Sequence, residues 1–327
     1  MHFWETLTRP TLVLAPMADV TDAAFRRIIA KYSKCQKPGF LTYPYVTWTE
    51  FVSADGLALA PEEGRKKLLA DLVFTDTERP IVAQFFTSRP ETMEKAAALA
   101  RELGFDGVDI NMGCPDKSIE KQGAGAAHIK NPSLAQEVIA AAKVGAGPLP
   151  VSVKTRLGYN TDEVETWIPK ILAAQPAVLT LHARTRKEMS LVPARWERVK
   201  RAVEIRNELG SKTLVFGNGD VRDVPDAHER IAATGADGAM LGRAIFGNPW
   251  LFTDYKPSIE ERLRVAVEHT KLYEELLPHK SFAIMKKHYK AYVSGFDGAA
   301  ELRGHLMLAE SGSEVETIVD KWLALHR

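Results

Sequence analysis

A (β/α)8 TIM barrel followed by a small all-α C-terminal helical bundle is the fold that the sequence predicts, and three observations predict it. Eight short apolar runs recur through the first three-quarters of the 327 residues. Most segments between them have helical apolar spacing, and after Phe252 the runs stop while helical spacing continues. The runs are mostly continuous rather than alternating, as parallel strands covered on both faces require. Eight of them alternating with helices over about 250 residues is a barrel signature. A doubly wound sheet would share the alternation, but no G-x-G-x-x-G follows the first run. The expected division is a barrel domain at 1–253 and a helical domain at 254–327.

The strands are expected at 11–16 (TLVLAP), 40–46 (FLTYPYV), 81–86 (IVAQFF) and 107–111 (GVDIN), then at 150–155 (PVSVKT), 177–182 (AVLTLH), 213–218 (TLVFGN) and 238–242 (GAMLG). Residues 91–103 have helical spacing and stop at Gly104, a suitable C-cap. Residues 133–142 and 162–174 read as helices, and 196–209 ends at Gly210. The C-terminal part reads as four helices, near 258–277, 281–294, 297–309 and 313–326. Ser258 with Glu261, and Ser313 with Glu316, fit the S-x-x-E capping box.

Composition narrows the class. Hydrophobic residues make up 45% and charged residues 26%, the proportions of a globular protein. No run approaches the roughly 18 apolar residues that span a bilayer, and residues 1–11 do not read as a secretion signal. Two cysteines, Cys35 and Cys114, build neither a disulfide framework nor a four-cysteine metal site; a reducing cytoplasm is the expected setting. There is no C-x-x-C, H-E-x-x-H or EF-hand loop, so no metal is expected. Membrane contact is not expected either, and the chain is expected to be monomeric. A net charge of +1 gives no global case for nucleic acid, so any RNA contact must rest on local clusters.

In this fold the site forms where strands end. The third strand carries Gln84; the fourth ends in Asn111, with Cys114 three residues on. The fifth ends in Lys154 and Arg156, the sixth in His182, the seventh in Asn218 and the eighth in Gly242 and Arg243. Converging polar side chains suit a small-molecule site. Gly217-Asn218-Gly219-Asp220 and Gly242-Arg243 occupy the usual phosphate corner, where backbone N–H groups and an arginine can hold an anion. A tight turn needing positive φ would also account for G-N-G-D alone. Lys154, near the barrel axis, needs an acceptor or a negative charge; a reduced isoalloxazine or the Asp109 carboxylate would serve. His182 reads as a flavin or substrate contact, against a satisfied core histidine.

At N-M-G-C-P (111–115) the sequence resembles the dihydrouridine synthase family. Further family-like motifs follow the same order: A-P-M (15–17), S-A-D-G-L (53–57), K-Q-G-A-G-A (121–126), V-K-T-R-L-G (153–158), H-A-R-T-R (182–186) and G-N-G-D-V (217–221). L-G-R-A-I-F-G-N-P-W (241–250), K-K-H-Y-K (286–290) and G-A-A-E-L-R (298–303) complete the set, which covers nearly the whole chain. The resemblance implies an enzyme that reduces a tRNA uridine to 5,6-dihydrouridine, with FMN as cofactor and NADPH as reductant. It implies that Pro16 and Met17 line the flavin and that Gln84, Lys154 and His182 contact its ring system. Asn218, Gly219, Gly242 and Arg243, in the corner that includes Asp220, would hold the phosphate. Cys114 would be the catalytic acid, and Asn111 and Arg156 would contact the uracil. The chemistry agrees: a thiol of ordinary pKa near 8.5 is mostly protonated at neutral pH and able to donate. Cys35 has no such setting. His128 departs from the family pattern, which more often has an aliphatic residue there.

An enzyme that reaches a stacked uracil must extract it and anchor the RNA by its phosphates. Arg184, Arg186 and Lys187 follow the sixth strand, with Arg195, Arg198, Lys200 and Arg201 beyond. Lys286, Lys287 and Lys290 share one broad helical face, which could equally be an ordinary solvated face. Tyr43, Tyr45 and Trp48 could stack on bases or pack in the core. Two rivals remain: an FMN-dependent barrel oxidoreductase acting on a small enone or dihydropyrimidine, and a non-catalytic RNA-binding protein on a degenerate barrel.

Overall fold

In the computed structural model, which describes residues 2–34 and 39–326, eight parallel strands close a barrel in the order β1 to β8. They are β1 (Thr11–Leu14), β2 (Tyr45–Ser53), β3 (Ile81–Phe86), β4 (Gly107–Met112), β5 (Val151–Arg156), β6 (Val178–His182), β7 (Leu214–Asn218) and β8 (Gly238–Leu241). Helices alternate with the strands, so the predicted class is the observed one.

The second strand is the largest misreading. It was expected at 40–46 but runs from Tyr45 to Ser53. Pro44 has no N–H for the ladder, so pairing starts beyond it. The polar letters Thr47, Thr49 and Glu50 disguised the strand, yet all three are buried. Ser53 ends it and caps the next helix, Ala54–Leu59, by accepting the Gly56 N–H at 3.1 Å; this is the local reason for S-A-D-G-L.

Alternation along the strands decides which side chains face inward. Val13, Val46, Trp48, Val82, Val178, Leu214, Phe216 and Met240 form one apolar cluster inside the barrel. Trp4, from the helix Phe3–Thr6, plugs it, with ring centroids 5.6 Å from Trp48 and 5.5 Å from Phe216. Trp48 and Tyr45 are therefore core residues rather than a base-stacking platform. Two residues further along the same inner face stand Gln84 after Val82, Thr180 after Val178 and Asn218 after Phe216. The apolar floor thus gives way to a polar mouth within one strand length.

The chain separates into two compact units, and the division differs from the expected cut at 253. One unit holds the residues up to Met17, Tyr45–Leu72 and Arg79–Gly242; the other holds Ala18–Pro44, Val73–Glu78 and Arg243 onward. The second unit therefore takes in the helix Ala23–Ser33, which sequence order alone would assign to the barrel. Its C-terminal helices are Ile259–Leu276, Met285–Tyr292, Ala299–Leu306 and Gly312–Leu325. The capping box at Ser258 and Glu261 forms. The last helix starts earlier than expected, because Ser311 rather than Ser313 accepts the N–H three residues on, that of Glu314. Among the described residues no helix is long and apolar enough to cross a membrane. Cys35 lies outside the described residues.

Inside the second unit, Phe25 stacks on His269 at 4.7 Å and meets the edge of His288 at 4.8 Å. Both histidines are fully buried, and neither ring nitrogen of His288 has a hydrogen-bond partner. Burial, with help from the Lys287 charge, pushes His288 down to about 3. The unfolded chain takes up a proton near pH 6.5 that the folded chain refuses, so stability is complete above 6.5 and declines below it. At pH 5.5 the loss from His288 alone is about 1.4 kcal/mol. His288→Phe should therefore reduce the fall in Tm between pH 7 and pH 5.5. An unchanged fall would show that His288 does not govern acid sensitivity.

Candidate active site

The polar residues at the strand ends gather at one mouth of the barrel unit, and register explains how. Gln84 pairs with Asp109, Asp109 with Ser152, Asn111 with Lys154, Arg156 with His182, and His182 with Asn218. Each is an inward position on its own strand.

Cys114 sits on the turn after β4, half-buried. Asn111 holds that turn: its Oδ1 accepts the N–H groups of Gly113 at 3.1 Å and Cys114 at 2.9 Å. The Cys114 carbonyl accepts the Ala126 N–H at 2.9 Å. Between them Gly125, at φ +60°, leaves room that a Cβ would fill, since that atom would stand 2.8 Å from the Cys114 oxygen. K-Q-G-A-G-A is therefore the seat of the cysteine turn. Nearby, the buried His128 has its Nε2 2.9 Å from the Thr87 carbonyl oxygen, so the unusual residue forms a polar tie in this loop. Burial pushes the Cys114 thiol up; the Asp116 N–H, Lys154 and Arg156 pull the other way, and the Asp116 charge adds to the rise. The net effect keeps the thiol protonated at neutral pH.

Lys154 makes no hydrogen bond or ion pair with any described residue. Burial, then the Arg156 charge, lowers it to about 8, against the opposing pull of Asp109 and Cys114. The direct pairing with Asp109 allowed by the sequence is not made. That carboxylate is taken by Gln84 at 2.6 Å and Ser152 at 2.5 Å, and burial raises it to about 6. A half-buried ammonium without an acceptor among the described residues fits a bound group that brings one.

Arg156 pins two loops together. Its Nε donates to the Gly113 carbonyl at 2.7 Å, and its Nη1 to the carbonyls of Thr185 at 3.2 Å and Met189 at 2.9 Å. Gln84 is fully buried, with both ends of its amide in use. Pro16 is buried and Met17 half-buried just beyond β1.

At the corner after β7, Gly219 has φ +121°, and a Cβ there would stand 2.9 Å from Ala194. Glycine is required here, because the left-handed backbone and the side chains of Ala194, His182 and Arg184 leave no place for a Cβ. A Cβ on Gly242 would meet only Ala15 and Met17, both at 3.6 Å. Asn218 fixes the corner by donating to the Met240 carbonyl at 2.9 Å. Arg243, exposed, opens the short turn that follows β8.

Two expected roles shift. Arg184 is only 2% exposed, so it is no surface contact for RNA. It donates to the Val192 carbonyl at 2.5 Å, lies 3.2 Å from His182 Nε2 and is ion-paired to Asp220. Its Nη1 stands 3.3 Å from where a Gly219 Cβ would be, which brings a positive charge to the corner after β7. Asp220, expected among the phosphate ligands, also accepts the Ala194 N–H at 2.8 Å; it is the anion that orients Arg184.

The surface charge after β6 is largely spent internally. Arg186 is paired bidentately with Glu120, Arg195 with Glu188, Arg198 with Asp162, and Arg201 with Glu165 and Glu208. Lys287 and Lys290 are exposed and Lys286 half-buried on the helix Met285–Tyr292, and none of the three pairs with a described carboxylate. The sequence reading missed the parts played by Ser152 and Asp109. Each lies two residues before a chosen site residue on the same strand, so period-two alternation would have found both.

A family model described as "Dihydrouridine synthase (Dus)" matches residues 13–325. A Bacillus subtilis protein named "Probable tRNA-dihydrouridine synthase 2" is 39% identical over 325 residues, covering 98% of this chain and 96% of its own length. A Staphylococcus epidermidis protein named "Probable tRNA-dihydrouridine synthase" is 38% identical, covering 99% and 97%. Among solved structures, histamine dehydrogenase from Rhizobium sp. 4-9 superposes with a TM-score of 0.53 at 13% identity, covering 84% of this chain and 50% of that one. That likeness concerns the fold alone.

Proposed function

The chain belongs to the dihydrouridine synthase family, and we propose that it reduces a uridine in tRNA to 5,6-dihydrouridine, with FMN at the barrel mouth and NADPH as reductant. The observation that carries this reading is a half-buried Cys114 thiol on a turn braced by Asn111, with Lys154, which has no partner among the described residues, on the next strand.

Reduction of the uracil C5–C6 bond adds a hydride at C6 and a proton at C5. FMN, when bound, would supply the hydride. Cys114 gives its proton to C5, and the thiolate left behind is steadied by the charges of Lys154 and Arg156 before solvent reprotonates it. Asn111 keeps the turn in place, and Arg156 locks it to the loop after β6. Lys154 and His182 would contact the ring system, with the Lys154 ammonium able to donate to its electron-rich edge. Arg184 and the N–H groups around Gly219 and Gly242 would hold the phosphate.

The test is a visible spectrum under anaerobic conditions. A flavin band that bleaches with NADPH and returns on adding unmodified tRNA supports the reading. A band indifferent to tRNA moves the assignment to a small-molecule reductase, and no flavin uptake removes the cofactor assignment.

The Lys286 face is the proposed phosphate anchor. Lys286→Ala with Lys287→Ala should weaken tRNA binding about ten-fold and flatten its salt dependence by roughly 1.5 log units per log unit. Wild-type affinity in filter binding would remove this helix from the interface.

A further inference from the structure

We propose that Asp109 is a positioning residue whose carboxylate sets the direction of a hydrogen-bond chain that ends on the Cys114 turn. The chain begins at Asp109, fully buried, which accepts from Ser152 Oγ at 2.5 Å and from Gln84 Nε2 at 2.6 Å. Gln84 Oε1 accepts from Asn111 Nδ2 at 3.1 Å. Asn111 Oδ1 accepts the backbone N–H groups of Gly113 and Cys114 at 3.1 and 2.9 Å.

The logic is one of parity. A carboxylate only accepts, and a backbone N–H only donates. The two amides between them can satisfy both ends in a single orientation: each presents its NH2 toward Asp109 and its oxygen toward the cysteine turn. Asp109, Ser152, Gln84, Asn111 and Gly113 are all buried, so water cannot readily repair a mismatch among them, and an unsatisfied buried pair would be costly. The chain thus links the middle of the barrel to the turn that carries the thiol. Ser152 holds the far carboxylate oxygen, which keeps Asp109 from rotating away.

Asp109→Asn, nearly isosteric, presents an NH2 where an acceptor is required. If that group faces Gln84, both amides reverse, and Asn111 then offers NH2 to two N–H groups that need an oxygen. If Gln84→Glu is added, the new carboxylate at position 84 accepts from the new amide at position 109 on one side and from Asn111 on the other. The original direction returns, with the net charge of the chain unchanged.

The experiment is alkylation of Cys114 by iodoacetamide in a Cys35→Ser background, on the purified FMN-loaded chain, together with single-turnover dihydrouridine formation. Asp109→Asn is expected to speed alkylation at least five-fold, because the turn is released, and to slow turnover at least ten-fold. The double variant should return both to within about three-fold of the parent. An alkylation rate unchanged in Asp109→Asn would overturn the proposal, as would a double variant no closer to the parent than the single one. The turnover arm rests on the function proposed above, whereas alkylation needs no tRNA. A chain that alkylates as expected but never acts on tRNA would therefore sink that function and leave the relay standing.

Discussion

Replacing Cys114 by alanine is expected to abolish most dihydrouridine formation while FMN stays bound and reducible by NADPH. General-acid groups contribute about 10²–10⁴-fold. The thiol is raised by burial, so it carries its proton at neutral pH. Its removal leaves Asn111 still accepting the backbone N–H of residue 114, which keeps the turn in place. The loss should therefore appear in the tRNA-dependent half-reaction alone. The measurement is anaerobic: bleach with NADPH, add unmodified tRNA, and follow the return of the band together with nucleoside composition. Turnover within three-fold of wild type would take the proton-donor role away from Cys114.

Lys154→Met is expected to have the second largest effect, a fall of about 10²-fold in NADPH-driven bleaching, the usual consequence of removing one preorganised donor from a developing negative charge. Methionine keeps the unbranched apolar stem, one atom shorter, but loses the ammonium. A pH profile adds a signed check. Lys154 is lowered to about 8, so the wild-type rate should decline as the pH rises through 8 and the ammonium deprotonates. In Lys154→Met that alkaline limb should vanish. If the variant keeps both its rate and its limb, the Lys154 ammonium serves something other than the flavin.

How much of this was legible beforehand differs by element. Seven of the eight strands lie within a residue or two of where the apolar runs place them, because a strand covered on both faces is written as a continuous run. β2 was misplaced because its buried residues include Thr47, Thr49 and Glu50, which read as surface letters. Cys114, Lys154 and the G-N-G-D corner could be picked out because their chemistry is local: a turn, a strand end, a glycine at positive φ. Arg184 and Asp220 were picked with them but given the wrong neighbours, since one arginine in H-A-R-T-R turns inward and the next does not.

By itself, then, the sequence determined the order of elements, the barrel, the helical C-terminal part and the family, all of which depend on patterns within a few residues or on motifs in series. The tertiary structure alone decided which charges remain unspent and which residues speak to each other. Ion pairing between Arg186 and Glu120, 66 residues apart, or the line from Ser152 through Asp109 and Gln84 to Asn111, depends on strand register and inward alternation around a closed barrel. Those are properties of pairing between distant segments, and no local window of residues contains them.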